Sequence, residues 1–199
     1  MTKNFRIYLL LCIIIYAYFS MENIEQIKDK LSDYNYKFLT NLQRYIDTEL
    51  IFFGSIKRCD FFMGKSDIDI AIITDNVESV KKKLQNYLNI GKSKIKRSMQ
   101  KIPNSQNVVY GYKINYDDEE NHLYLEIIIY DEQYRNFIIN NIDRTNNLPF
   151  YITIIYFIIK ILTYYLPIFS VDILKYCKNI VMNNYLNQSL SKNLITVKI

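Results

Sequence analysis

Residues 52–76 read FFGSIKRCDFFMGKSDIDIAIITDN, and the second half of that stretch decides the fold. An apolar run from Ile68 onward carries two acids, Asp67 and Asp69, one residue apart. In a strand, alternate side chains point the same way, so both carboxylates fall on one face. Like charges so close repel, and burying them unpaired is costly. Something cationic has to compensate. Two carboxylates on one face suit Mg²⁺, a hard ion that prefers oxygen and takes only a couple of protein ligands before phosphates and water complete its shell. Just upstream, Gly54-Ser55 closes a short apolar strand, ELIFFGS. Glycine permits close backbone approach, and serine adds a hydroxyl and an N–H, which makes this turn a phosphate seat.

The flanking segments read as alternating helix and strand. Ile24, Ile27, Leu31, Phe38, Leu42, Tyr45 and Ile46 recur at helical spacing and predict an amphipathic helix from Met21 to about Asp47. VESVKKKLQNYLN predicts a second helix, with Val77, Val80, Leu84 and Leu88 on one face. NVVYGYKINY and HLYLEIIIYD, joined by DDEEN, predict an antiparallel hairpin. EQYRNFIINNID and SVDILKYCKNIVMNNYL predict further helices, the latter with Ser170 as its cap. The basic stretch GKSKIKRSMQKIPNSQ reads as loop with some strand, and residues from 192 on as a frayed tail. Phe150 to Leu166 is apolar for 17 residues, the lower limit for a membrane span, but Lys160 near its middle is costly in lipid. A helix pressed between the sheet and its neighbours is the simpler reading.

Composition narrows the rest. At 199 residues the chain is one domain of ordinary size, or a domain with an appendage. The excess of Tyr, Phe, Ile, Asn and Lys follows AT-rich codons and fits the genome of a large DNA virus or an AT-rich microbe. Net charge is +5, of which Lys3 and Arg6 supply two in an acid-free leader. The remaining +3 is too mild to argue for nucleic acid alone. Cys12, Cys59 and Cys177 lack paired-ligand spacing, and three cysteines make no disulfide framework, so a reduced compartment is expected. His122 is the sole histidine, which argues against His-based metal sites and Ser-His or Cys-His nucleophiles.

The leader MTKNFRIYLLLCIIIYAYFSM places two basic residues before an apolar run, Ile7 to Phe19. Thirteen residues are short for a span and fit a signal core or a short anchor. Bulky aromatics crowd the cleavage site, and Met21 offers an alternative start. The expected organisation is a leader over 1–20 with possible membrane contact through 7–19, a main domain over 21–145, a helical segment over 146–191 and a tail over 192–199.

FFGS, eleven residues, then DIDIAI resembles the signature of the DNA polymerase beta superfamily of nucleotidyltransferases. GSIKRCDFFMGKSDID is also similar to the extended form in minimal nucleotidyltransferases, with Cys59 standing where a glycine is usual. The resemblance covers about residues 22 to 130. It implies an α/β (α+β) fold: a short mixed sheet carrying the acids, helices packed on one face and a helical C-terminal tail. It implies a third acid on a later strand, and Glu126, mid-strand in LYLEIIIYD, is that candidate ahead of Asp117, Asp118, Glu119 and Glu120 in the turn. It implies Asp67, Asp69 and Glu126 as catalytic and metal-holding residues for two Mg²⁺ ions, and a nucleoside triphosphate as substrate. Gly54 and Ser55 would hold the β- and γ-phosphates, with Arg58, Lys65, Ser66 and Lys57 as further contacts.

The expected activity is transfer of a nucleoside monophosphate to an acceptor hydroxyl on a protein, an RNA or a small molecule. Nucleoside triphosphates imply a cytoplasmic domain, free or membrane-anchored. Two other classes fit the same residues: a non-catalytic nucleotide- or partner-binding module of the antitoxin kind, and a membrane-attached structural protein.

Overall fold

A computed structural model describes residues 24–101, 108–166, 170–185 and 194–197. The expected leader over 1–20 lies outside them. Six strands form one mixed sheet: β1 (Ile51–Phe53), β2 (Ile68–Thr74), β3 (Ile95–Lys101), β4 (Val108–Asp118), β5 (Leu123–Asp131) and β6 (Leu194–Val197). Their spatial order is β1-β2-β5-β4-β3-β6. The central β2–β5 pair is parallel, and every other pair is antiparallel. A parallel pair needs a long crossover, and residues 75–122 supply it.

Strand alternation sorts β2 and β5 into two faces. Ile68, Ile70 and Ile72 join Leu125, Ile127 and Ile129 in the larger core. Helices α1 (Asp33–Ile46) and α2 (Val77–Leu88) cover this face with Leu39, Leu42, Ile46, Val80, Leu84 and Leu88. Each such side chain contributes about 1.5–3 kcal/mol on burial. Both helices start on a side-chain cap: Ser32 Oγ accepts from the Asn35 N–H at 3.1 Å, and Asn76 Oδ1 from the Ser79 N–H at 3.0 Å.

The opposite face is apolar at only one end. Ala71, Ile73, Ile128 and Tyr130 form a smaller core there, covered by Ile138 and Ile142 of α3 (Arg135–Asn146). Helix α3 thus adds to the two helices of the first face. The other end of this second face holds the acids. Two more helices follow, α4 (Phe150–Tyr164) and α5 (Val171–Tyr185). They pack together through Ile152, Tyr156 and Val181 beneath Leu148, and the Tyr156 hydroxyl donates to the Lys178 carbonyl at 3.1 Å. Phe157 stacks on Phe62 with ring centres 5.3 Å apart, which ties α4 to the loop before β2. Among the described residues, no single helix is long and apolar enough to cross a membrane, and the α3–α4 pair is bent by 72°.

Three local expectations change. The first helix is split: a 3-10 segment, Ile24–Lys30, precedes α1, because Ser32 caps the new helix and interrupts the old one. The basic stretch carries more strand than expected: after a 3-10 turn, Lys92–Lys94, β3 pairs with β4 from Ile95↔Ile114 to Lys101↔Val108. In place of a wholly frayed tail, Leu194–Val197 pairs with Arg97–Gln100. The edge of β3 presents backbone donors and acceptors that a returning segment satisfies.

Candidate active site

The β2–β5 ladder sets the acids in register. Asp69 is the direct partner of Glu126, two residues of a parallel pair that share a face. Asp67 lies two residues before Asp69, just ahead of the strand, and is close enough to feel the Glu126 charge. On the other flank, Phe53 of β1 pairs with Asp69, so the next residue, Gly54, meets the Asp69 carboxylate. A Cβ at Gly54 would stand 2.2 Å from Asp69 Oδ2, and the backbone there has φ +75°. Both facts demand glycine. The Gly54 N–H donates to Asn146 Oδ1 at 3.0 Å, which fixes the turn to the end of α3. Ser55 is buried beside it, inside the 3-10 turn Gly54–Lys57.

The electrostatics record the crowding. Burial, then the Glu126 charge, pushes the Asp69 carboxyl up to about 7, with Asp67 adding to it and Lys178 and Arg58 opposing. Burial and Glu126 also push Asp67 up, against Lys178 and Lys175. The site therefore favours bound protons or cations over bare carboxylates. The compensating lysines come from α5, an element that strand alternation could not connect to the acids. Lys113 of β4 compensates Glu126 directly: its Nζ lies 2.6 Å from Glu126 Oε1.

The loop between the turn and β2 is held by a buried charge cluster. Arg58 Nε and Nη2 donate to the two Asp60 carboxylate oxygens at 2.8 and 3.2 Å, and Nη1 donates to the Thr145 carbonyl. Lys160 of α4 donates to the Asp60 carbonyl at 2.7 Å and to Ser66 Oγ at 3.2 Å, and lies 3.2 Å from Asp60 Oδ2. Burial would raise Asp60, but Arg58 and Lys160 more than offset it and hold it below the usual range. Burial pushes Lys160 down to about 8, with Asp60 resisting and Lys178 and Arg58 assisting.

Three of the expected phosphate contacts already hold partners within the protein. The Arg58 guanidinium is spent on Asp60 and Thr145 and also lies over the Tyr156 ring. Ser66 Oγ accepts from Lys160 and from the Phe62 N–H. Lys65 donates to the Tyr164 carbonyl at 3.0 Å and sits 3.9 Å over the Tyr165 ring. Gly54 and Ser55 remain beside the aspartates. Asp60 and Lys160 are the positioning residues to which the sequence reading gave no role in the site. One charge inside an apolar helix was the available signal for Lys160, since a buried lysine needs a partner.

The donor set suits a hard divalent ion: two carboxylates on one face, a third in register, and a glycine turn that leaves room above them. As the side chains stand, no group of three His, Cys, Asp or Glu among the described residues is gathered closely enough to hold a metal. Glu126 is engaged by Lys113 instead. Asp67 and Asp69 are thus the residues that would hold an ion, with Glu126 the third ligand once its contact with Lys113 is exchanged.

A comparison with protein families matches residues 24–164 to the nucleotidyltransferase domain. The chain belongs to the nucleotidyltransferase family. The matched span runs from the 3-10 segment to the end of α4. Among solved structures, it is similar to the Cid1 poly(U) polymerase with MgGTP bound, at 15% identity and a TM-score of 0.39. A second structure of Cid1, described by its RNA terminal uridylyl transferase activity, gives 14% identity and a TM-score of 0.40. These matches cover 77% and 79% of this chain but only 46% and 45% of the Cid1 chains, so it spans about half their length. No curated protein matches the sequence.

Proposed function

We propose that this nucleotidyltransferase is a Mg²⁺-dependent enzyme that moves a nucleoside monophosphate from a nucleoside triphosphate to an acceptor hydroxyl. One observation carries the reading: Asp69 and Glu126 are register partners on one face, with Asp67 beside them and Gly54 pressed against Asp69. Asp67 and Asp69 would hold the ions, with Glu126 as the further ligand. Bound Mg²⁺ supplies Lewis acidity to the phosphate oxygens and lowers the pKa of the acceptor hydroxyl. The Gly54-Ser55 turn lets the triphosphate approach the backbone closely. In the reaction the acceptor oxygen bonds to the α-phosphorus, the bond to the β-phosphate oxygen breaks, and pyrophosphate leaves with that electron pair. The buried cluster of Arg58, Asp60 and Lys160 holds Ser66 and so sets the backbone that enters Asp67. The acceptor class is a protein, an RNA or a small molecule, met on the cytosolic side where nucleoside triphosphates are available.

A second reading is favoured by one contact. The ion pair between Lys113 and Glu126 suits a module that binds nucleotide without transferring it. One experiment separates the two. The protein is incubated with Mg²⁺, each α-labelled triphosphate in turn and host lysate, beside a D67N/D69N control. Label on an acceptor with the wild type alone supports the enzyme. Retained nucleotide binding with no transfer from any triphosphate supports the module.

A further inference from the structure

Helix α4 is built inside out. Its one charged residue, Lys160, is buried against Asp60, while its outward side is apolar from end to end. Tyr151, Ile155, Ile158 and Tyr165 are exposed, and Leu162 between them is half-buried. They recur at steps of four, three, four and three, the spacing of a coiled-coil seam. Among the described residues, Phe62 and Lys65 rest on Tyr165 at one end of that seam, and Tyr151, Ile155 and Ile158 stay exposed along the rest. Scattered exposed apolar residues are ordinary, but a continuous apolar stripe marks a contact surface.

The sequence of the stripe says what fits it. Outward from Ile158, the residues three places away are Ile155 and Ile161, those four away are Ile154 and Leu162, and those seven away are Tyr151 and Tyr165. The seam therefore reads almost the same in both directions. When two identical helices cross antiparallel about a twofold axis, each residue meets the one equally far on the other side of the axis. A near-palindrome centred on Ile158 makes that crossing self-matched in side-chain size, with tyrosines meeting at both ends. The stripe itself carries no charged residue, and the one cation at its Tyr165 end, Lys65, is held on that ring and on the Tyr164 carbonyl. Ile173, Tyr176 and Ile180 are exposed at helical spacing on α5, which packs against α4. Taking about 200 Å² for a fully exposed large side chain, these three with the exposed residues of α4 present roughly 700 Å², close to the ~800 Å² each partner gives to a standard interface.

We infer that this face binds a second copy of the chain, with the two α4 helices antiparallel and the twofold axis at Ile158. The contact is isologous and closes on itself, so the assembly stops at a dimer. It lies on the side of α4 opposite Lys160, two residues and about 200° round the helix from Ile158.

The test is position-specific and uses the full chain. Sedimentation at about 10 µM, a concentration at which a micromolar complex forms, is expected to give a dimer for the wild type. Ile158→Asp is expected to give a monomer with an unchanged circular dichroism spectrum. Ile158→Cys is expected to oxidise to an intermolecular disulfide, because the twofold brings that position against itself within the few ångströms a disulfide spans. Tyr151→Cys and Tyr165→Cys are each expected to stay uncrosslinked alone and to crosslink when mixed, since the two positions lie about 21 Å apart along one helix. The wild type, run in parallel, sets the background from the native cysteines. A wild type monomeric up to about 0.1 mM overturns the proposal, as does a dimer that survives Ile158→Asp. Self-crosslinking of Tyr151→Cys overturns the antiparallel arrangement, and a monomer that floats with phosphatidylcholine vesicles assigns the face to lipid instead.

Discussion

Asp69 stands directly opposite Glu126 across the parallel β2–β5 ladder, and Asp67, just ahead of the strand, is pushed up by burial and then by the Glu126 charge. A sheet face this acidic is a poor place for three bare carboxylates. Burial and mutual repulsion push Asp69 up to about 7, and Lys113, Lys175 and Lys178 gather round as partial counter-charges. The arrangement is stabilised by added positive charge, and that property yields the predictions below.

The first concerns pH. Asp69 titrates at about 7 in the folded protein, above its ordinary value of 3.8. The folded state therefore holds a proton that the unfolded chain has released, and stability falls as pH rises between those values. The contribution is fully present below the unfolded value and lost above about 7. Urea unfolding in EDTA is expected to show the wild type less stable at pH 8 than at pH 5. D69N is expected to flatten that difference while abolishing nucleotide transfer.

Gly54 tests the close approach. A methyl at this position meets Asp69 Oδ2 at 2.2 Å on a backbone with φ +75°. Gly54→Ala is expected to cost about 1–3 kcal/mol in denaturant unfolding, from strain at a left-handed position. Transfer is expected to fall by about 100-fold, since a displacement on the ångström scale at reacting groups costs that much.

The buried cluster predicts an asymmetry. Asp60 answers two cations, Arg58 and Lys160. Asp60→Ala leaves both buried without their carboxylate and is expected to cost about 3–5 kcal/mol. Lys160→Met removes the surplus charge and keeps the Arg58–Asp60 pair, so it is expected to cost less. Unfolding of the two variants in urea at pH 7 checks the order.

Lys113 competes with a metal for Glu126, since its Nζ holds Oε1 at 2.6 Å. Lys113→Met is expected to tighten Mn²⁺ binding by up to about fivefold, the worth of a partly exposed ion pair of up to ~1 kcal/mol. Calorimetric titration of the nucleotide-free protein measures it, and an unchanged affinity would remove Lys113 from the account.

Much of this site was legible in the sequence because strand period is rigid. Asp67 and Asp69 had to share a face, and Glu126 had to lie mid-strand among apolar neighbours. That Asp69 and Glu126 are exact partners depended on the β2–β5 register, which is set by the whole sheet. The Arg58–Asp60–Lys160 cluster joins residues about a hundred positions apart, and no local pattern records such a meeting. Arg58, Lys65 and Ser66 looked like loop groups free for phosphate because their partners lie on α3, α4 and the turns beside them. The pairing of Leu194–Val197 with β3 is non-local in the same way.

The central claim is that Asp67, Asp69 and Glu126 together hold divalent ions beside the Gly54-Ser55 turn. Anomalous diffraction from crystals grown with Mn²⁺ and a non-hydrolysable nucleoside triphosphate tests it most directly. The account predicts a manganese peak ligated by Asp67 and Asp69, with Glu126 turned from Lys113 toward the metal and the triphosphate against Gly54 and Ser55. A bound triphosphate with no metal at these aspartates, or metal ligated elsewhere with Glu126 still on Lys113, would contradict it.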